Sequence, residues 1–220
     1  MLRQARPLTF ENFLERETVD ISVVPTHRIL YEDTEISAQS LRTAEVIAED
    51  YGEKNQHTTA VYILNGGCYP FFHLVGPHLY PLLPELTATG MQLASYGKAQ
   101  YSTGQVTVLL HPDRRLIKDR YVLVFEDLLD TGLSAEVAAK LLFKAGAISV
   151  DFCILLRKTT TVISQYLHDS GCKFYDVLPP IPSEIFLFGC GMDYENQHRL
   201  YPHLAGIEKE AKPVTLQTAI

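Results

Sequence analysis

The chain has 220 residues, with 19 Lys+Arg against 26 Asp+Glu, a formal net charge of −7 and a pI near 5.6. Hydrophobic residues make up 46% and charged residues 20%, which excludes a disordered, collagenous or coiled-coil chain and allows one domain with a substantial core. The acidic balance argues against nucleic-acid binding but leaves room for a local phosphate pocket. Met1 to Glu17 carries charges and has no apolar centre, and no run approaches the roughly 18 apolar residues of a membrane helix. A cytoplasmic protein with no membrane partner is expected. Cys68, Cys153, Cys172 and Cys190 are far apart with no CxxC pair, so reduced structural cysteines are expected rather than zinc or disulfides.

Asp33-Thr34 offers a helix cap, followed by Ile36, Ala44, Ile47, Ala48 and Tyr51 on one side and ending at Gly52. Thr58 to Leu64 is short, apolar and partly β-branched, which predicts a buried strand. Asn65-Gly66-Gly67 stops it, and Gly76-Pro77 should bend the apolar segment that follows. Met91 to Ser95 and Val106 to Leu110 predict strands around a polar loop, Tyr96 to Gln105. Tyr121 to Phe125 is the clearest core strand. A helix is expected from Ser134 to Ala145, closed by Gly146. Then come a strand at Ser149 to Leu156, a helix over Thr159 to His168 and strands at Phe174 to Val177 and Ile185 to Phe188. Strands alternating with helices predict an α/β fold with a mainly parallel twisted sheet flanked by helices. Ligands in such sheets bind at the carboxyl ends of strands. The ends after Leu64, Phe125 and Phe188 are chemically unusual.

No P-loop occurs, and Gly189-Cys190-Gly191 lacks the third glycine of a dinucleotide fingerprint. Gly132-Leu133-Ser134-Ala135-Glu136 lacks the second glycine of a nucleophile elbow. The informative segment is Val122 to Ser134, VLVFEDLLDTGLS. A strand delivers Glu126 and Asp127 to its end, Asp130 follows, and Thr131, Gly132 and Ser134 open a helix. Small and hydroxylated residues at a helix N-terminus make an anion site. Adjacent carboxylates suit a ligand that also brings a diol or a hard cation. A ribose 5-phosphate with Mg²⁺ meets all three needs.

This stretch resembles the phosphoribosyl-pyrophosphate signature of type I phosphoribosyltransferases. Three further segments extend the resemblance: Leu64-Asn65-Gly66-Gly67, Ser95-Tyr96-Gly97 with Ser102-Thr103-Gly104, and Phe186 to Arg199 (FLFGCGMDYENQHR). The last is similar to the hypoxanthine-guanine branch. The resemblance implies one domain over 1–220, with a core at about 40–178 and a hood from about 1–39 and 179–220. It implies that Glu126 and Asp127 hold the ribose hydroxyls, that Asp130 acts as general base, and that Leu129 to Ser134, including Leu133, surrounds the 5-phosphate. Asn65, Gly66, Ser95, Tyr96 and Arg199 would bind pyrophosphate. Phe186 would stack on the purine, Leu187 would bond its edge, and Asp193 would lie beside it. Mg²⁺ would sit on Glu126, Asp127 and Asp193. Tyr96 to Gln105 would close as a lid.

Three positions that are usually lysine in the family differ: Asn65, Leu133 and Arg157, the last being where the resemblance implies the donor to purine O6. A one-residue shift of frame would put Lys158 in the last place. The implied substrates are phosphoribosyl pyrophosphate and a 6-oxopurine, and the implied assembly is a homodimer or homotetramer. Two rival readings are a nucleotide-sensing regulator on the same fold and a phosphorelay receiver. The first lacks a basic cluster for RNA. The second needs its acidic pair early in the chain, whereas here it lies past the midpoint.

Overall fold

The computed structural model describes residues 27–95 and 106–208. A six-stranded sheet is built from β2 (Thr58–Leu64), β3 (Thr87–Ser95), β4 (Val106–Leu110), β5 (Tyr121–Leu129), β6 (Ser149–Arg157) and β7 (Phe174–Asp176). Its order is β4-β3-β2-β5-β6-β7, and every pairing is parallel except β3 with β4. A smaller antiparallel sheet has the order β1-β9-β8, from β1 (Arg28–Tyr31), β8 (Ile185–Phe188) and β9 (Leu204–Glu208).

Both faces of the large sheet are covered, because its central strands are apolar on alternate sides. Ala60, Leu123, Phe125, Cys153 and Leu155 face helix α1 (Asp33–Tyr51) and the short helix α2 (Val75–Leu79). Val61, Ile63, Val122, Val124, Val150, Phe152 and Ile154 face helix α3 (Leu133–Ala145), which contributes Ala135, Ala138, Ala139 and Leu142. The period-two alternation of strands explains this sorting. The small sheet joins the α1 side through Ile185, Leu187 and Leu204. Among the described residues, no helix is long and apolar enough to cross a membrane.

α1 begins one residue beyond its cap, Glu32, which forms a reciprocal capping box with Glu35. Asp33-Thr34, the expected cap, instead forms the first turn. β2 matches its predicted bounds, while β3 begins at Thr87 rather than Met91. The predicted helix over Thr159 to His168 is reduced to α4 (Gln165–Asp169), capped by the Ser164 side chain. The preceding β-branched run, Thr159 to Val162, makes turn and loop contacts instead.

The largest correction concerns β5. It runs to Leu129, pairing Glu126, Leu128 and Leu129 with Ile154, Leu156 and Arg157 of β6. Glu126 and Asp127 therefore lie within the strand rather than beyond its end. The lid prediction, Tyr96 to Gln105, and with it Tyr96, lies outside the described residues.

Candidate functional site

Successive residues of a strand face opposite ways, and this separates the acidic pair. Glu126 turns to the α3 side, where Ser134 Oγ donates to its Oε2 at 3.3 Å. It is 6% exposed, and burial, aided by the neighbouring Asp127 charge, pushes its carboxyl up to about 8. Asp127 turns to the other side. Its Oδ1 accepts the Leu128 amide at 2.9 Å. Burial raises its pKa, the backbone amides and Arg199 oppose this, and Asp193 adds to the rise.

Three groups, one in the turn after β2 and two in the loop after β8, gather around Asp127. The turn after β2 comes first: a Cβ on Gly66 would lie 1.7 Å from Asp127 Oδ2, so only glycine lets the backbone approach. The peptide joining Leu64 to Asn65 in this turn is cis. The loop after β8 comes second, since a Cβ on Gly191 would fall 2.6 Å from the Gly66 carbonyl. Arg199 comes third. Its Nη1 donates to Gly191 O at 2.7 Å and its Nη2 pairs with Asp193 Oδ1 at 2.5 Å. Asp193 Oδ2 also accepts the Asn196 amide at 2.8 Å. The three unusual strand ends thus meet at one place.

Asp130 is exposed, at the start of the turn between β5 and α3. Gly132 takes the left-handed conformation (φ 83°) and precedes the first turn of α3. Thr131 Oγ1 accepts the Leu133 amide at 3.4 Å. The turn is shaped like an anion cradle at a helix N-terminus.

The β6 end carries the base-recognition question. Arg157 is committed to Asp176, with Nε donating to Oδ2 at 2.8 Å and Nη2 bonding the same oxygen. Its guanidinium also lies 5.4 Å from the Phe174 ring centre. Lys158 is 4% exposed, and its ammonium donates to the carbonyls of Pro182, at 3.3 Å, and Ile185. The first frame, with Arg157 as base donor, therefore meets an ion pair across 19 residues that the sequence pattern could not display. Lys158, the other frame, stands under the strand that carries Phe186 and Leu187. Phe186 meets Tyr194 edge to face at 5.8 Å between centroids, while Leu187 is 4% exposed. β8 is an edge strand of the small sheet, so one row of its backbone groups is left to other partners.

Glu126, Asp127 and Asp193 do not form a ready three-ligand cluster. Among the described residues, the group with three ligand atoms within 4.8 Å of one another is Glu32, Asp33 and His203. Asp127 and Asp193 still suit a hard divalent cation, as carboxylates that feel each other's charge. Glu126 is turned away from them. Backbone and contact residues escaped the sequence reading: Gly191 at the turn contact, and Thr161, which holds the Asp130 turn. The Gly-Cys-Gly run around Gly191 is a local pattern from which a close backbone approach could be read, whereas Thr161 has no such pattern.

The phosphoribosyl transferase domain family matches residues 31–195. The hypoxanthine-guanine phosphoribosyltransferase of Lactococcus lactis subsp. lactis is 29% identical over 184 residues, covering 83% of this chain and 92% of that protein. The protein of the same name from Streptococcus thermophilus is 27% identical over 183 residues, covering 83% and 94%. Among solved structures, a Trypanosoma cruzi hypoxanthine phosphoribosyl transferase superposes with a TM-score of 0.69 at 25% identity, covering 82% of this chain and 91% of that one.

Proposed function

Because the chain belongs to the phosphoribosyl transferase domain family, we propose that it is a purine-salvage enzyme of the hypoxanthine-guanine type. It transfers the 5-phosphoribosyl group of phosphoribosyl pyrophosphate to N9 of hypoxanthine or guanine, giving IMP or GMP and pyrophosphate. The observation that carries this reading is the convergence of the Gly66 turn, Asp127 and the Gly191–Arg199 loop beside the anion cradle of α3. A regulator with little catalysis is the less favoured alternative, since its RNA partner would need a basic face.

In this reading the amides of Thr131 to Ser134 receive the 5-phosphate, aided by the α3 dipole. Glu126 and Asp127 flank the ribose from the two sides of β5 and accept from its hydroxyls. Asp130 takes the proton lost by the purine as its new bond to the sugar forms. Asn65 and Gly66 offer backbone to pyrophosphate, and Ser95 and Tyr96 would hydrogen-bond it. Arg199 uses two of its five donors on Gly191 and Asp193, leaving others for the leaving group. Mg²⁺ on Asp127 and Asp193 would neutralise charge on the pyrophosphate. The purine stacks on Phe186, with its edge on the backbone at Leu187.

Arg157, or Lys158 if the frame is shifted by one, is the donor to the purine 6-oxo group; Arg157 spends Nε and Nη2 on Asp176, and Lys158 spends its ammonium on the carbonyls of Pro182 and Ile185. Either side chain offers donors only, so adenine, with an amino group at that position, would leave two donors facing each other. The enzyme works as one domain, with the small sheet as a hood, in the cytoplasm and as a homodimer or homotetramer.

The test is a spectrophotometric assay with phosphoribosyl pyrophosphate, Mg²⁺ and each base in turn. Turnover of hypoxanthine or guanine is expected, with adenine slower by roughly 10⁴–10⁵-fold. Adenine turnover equal to that of hypoxanthine would remove the donor assignment. No turnover with any base would favour the regulator.

A further inference from the structure

The Asp130 carboxylate is exposed, and among the described residues it has no hydrogen-bond or ion-pair partner. Its location therefore depends on its backbone. One hydroxyl from outside the turn bridges that backbone. Thr161 Oγ1 lies 2.6 Å from the Leu129 carbonyl and 2.8 Å from the Asp130 carbonyl, donating to both. The Leu129 carbonyl also accepts the Lys158 amide at 3.1 Å, and the Thr161 amide closes a turn onto Lys158 O at 3.0 Å. A second contact comes from the next residue. The Val162 carbonyl packs so closely on Gly132 that a Cβ there would lie 2.5 Å from it. The segment after β6 thus grips the β5–α3 turn at both ends, at Leu129-Asp130 and at Gly132.

We infer that Thr161 is a positioning residue for phosphoribosyl transfer. Its hydroxyl sets the two carbonyls at Leu129 and Asp130 and thereby aims both the Asp130 carboxylate and the amides that follow it. The inference rests on the function proposed above for that turn. Proton transfer and phosphate capture both demand fixed geometry, and a misplacement of about 1 Å can cost on the order of 10²-fold in rate. The hydroxyl itself touches no substrate; it acts through the turn.

Two variants separate hydroxyl from shape. Thr161→Val keeps the branched volume and removes the donor, and Thr161→Ser keeps the donor. Steady-state kinetics should give the Val variant a kcat lower by about ten- to a hundredfold. Its KM for the purine should be little changed, and its KM for phosphoribosyl pyrophosphate should rise. The Ser variant should retain wild-type values. Amide hydrogen exchange at Thr131 to Ser134 should speed up in the Val variant and not in the Ser variant. An unchanged kcat in the Val variant, unchanged exchange, or a Ser variant as impaired as Val would overturn the inference. Exchange needs no turnover, so an inactive wild-type protein would sink the proposed function while the exchange readout still decides the role of Thr161.

Discussion

Acidic residues occupy both ends of the large sheet, and their surroundings are opposite. At the amino end, Asp151 is buried and accepts from Tyr51 Oη at 2.7 Å and from the Lys173 amide at 2.9 Å. Beside it, Asp50 accepts from Lys173 Nζ at 2.9 Å and Tyr175 Oη at 2.6 Å, and these bonds hold its carboxyl below the usual range. At the carboxyl end, Glu126 receives one 3.3 Å bond from Ser134 and its carboxyl is pushed up to about 8. Asp127 is likewise raised by burial. The amino-end acids are completed by the chain's own donors. The carboxyl-end acids are short of donors, and a ligand bearing hydroxyls or a cation would supply them. Hydrogen-bond completion, rather than burial alone, separates structural acids from binding acids here.

The strongest way to break this contrast lies at Asp130, on the binding end. If it accepts the purine proton, Asp130→Asn should lower kcat by about 10²–10⁴-fold, the range for a general base. The carboxylate is exposed and unpartnered among the described residues, so the melting temperature should stay at the wild-type value. Near-normal turnover would take Asp130 out of the reaction.

The amino end should respond in the other currency, stability. Asp151→Ala removes the 2.7 Å acceptor of the buried Tyr51 hydroxyl, leaving it Val122 O at 3.5 Å, and removes the acceptor of the part-buried Lys173 amide. Weakening the buried bond costs about 1–3 kcal/mol. For a chain of this size, about 1 kcal/mol corresponds to roughly 2–4 °C in Tm. Calorimetry should show that fall, while kcat measured well below the transition stays unchanged. A loss of kcat without loss of Tm would mean that the two ends are coupled and that the contrast is mistaken.

The two ends also differ in how far the sequence disclosed them. β2 was legible from Thr58 to Leu64 because seven apolar or β-branched residues end at Asn65-Gly66. The extension of β5 through Leu129 was not legible. Glu126 and Asp127 interrupt the apolar run, and only the parallel pairing with β6 reveals that they remain in the ladder. The helix expected over Thr159 to His168 failed for a related reason. Thr161 spends its hydroxyl on the carbonyls of Leu129, the last residue of β5, and Asp130, the next, contacts 32 and 31 residues apart that no local pattern encodes. The candidate site was legible as a set of segments, because EDLLDTG and GMDYENQHR announce their chemistry locally. Its internal pairing was not: Arg157 with Asp176, Arg199 with Gly191 O, and Gly66 against Asp127 all follow from the fold.

The smallest expected effect tests the contrast at its root, in the ligand-free protein. Folding raises the Glu126 carboxyl from an ordinary 4.5 to about 8, so the folded chain holds a proton there that the unfolded chain has lost. The stability linked to that proton is complete below about pH 4.5 and is lost progressively as pH rises through about 8. Glu126→Gln keeps the shape and cannot ionise. Relative to wild type, it should be neutral near pH 5 and more stable by about 1 kcal/mol or more near pH 8.5. Calorimetry at the two pH values, without ligand, reads this directly. The same variant should bind phosphoribosyl pyrophosphate more weakly above about pH 8, where wild-type Glu126 is ionised, since a neutral amide is a poorer acceptor for the ribose hydroxyls than a carboxylate. A stability difference that is the same at both pH values would mean that Glu126 is not held short of donors. The carboxyl end would then be as complete as the amino end, and the physical ground for placing the ligand there would be gone.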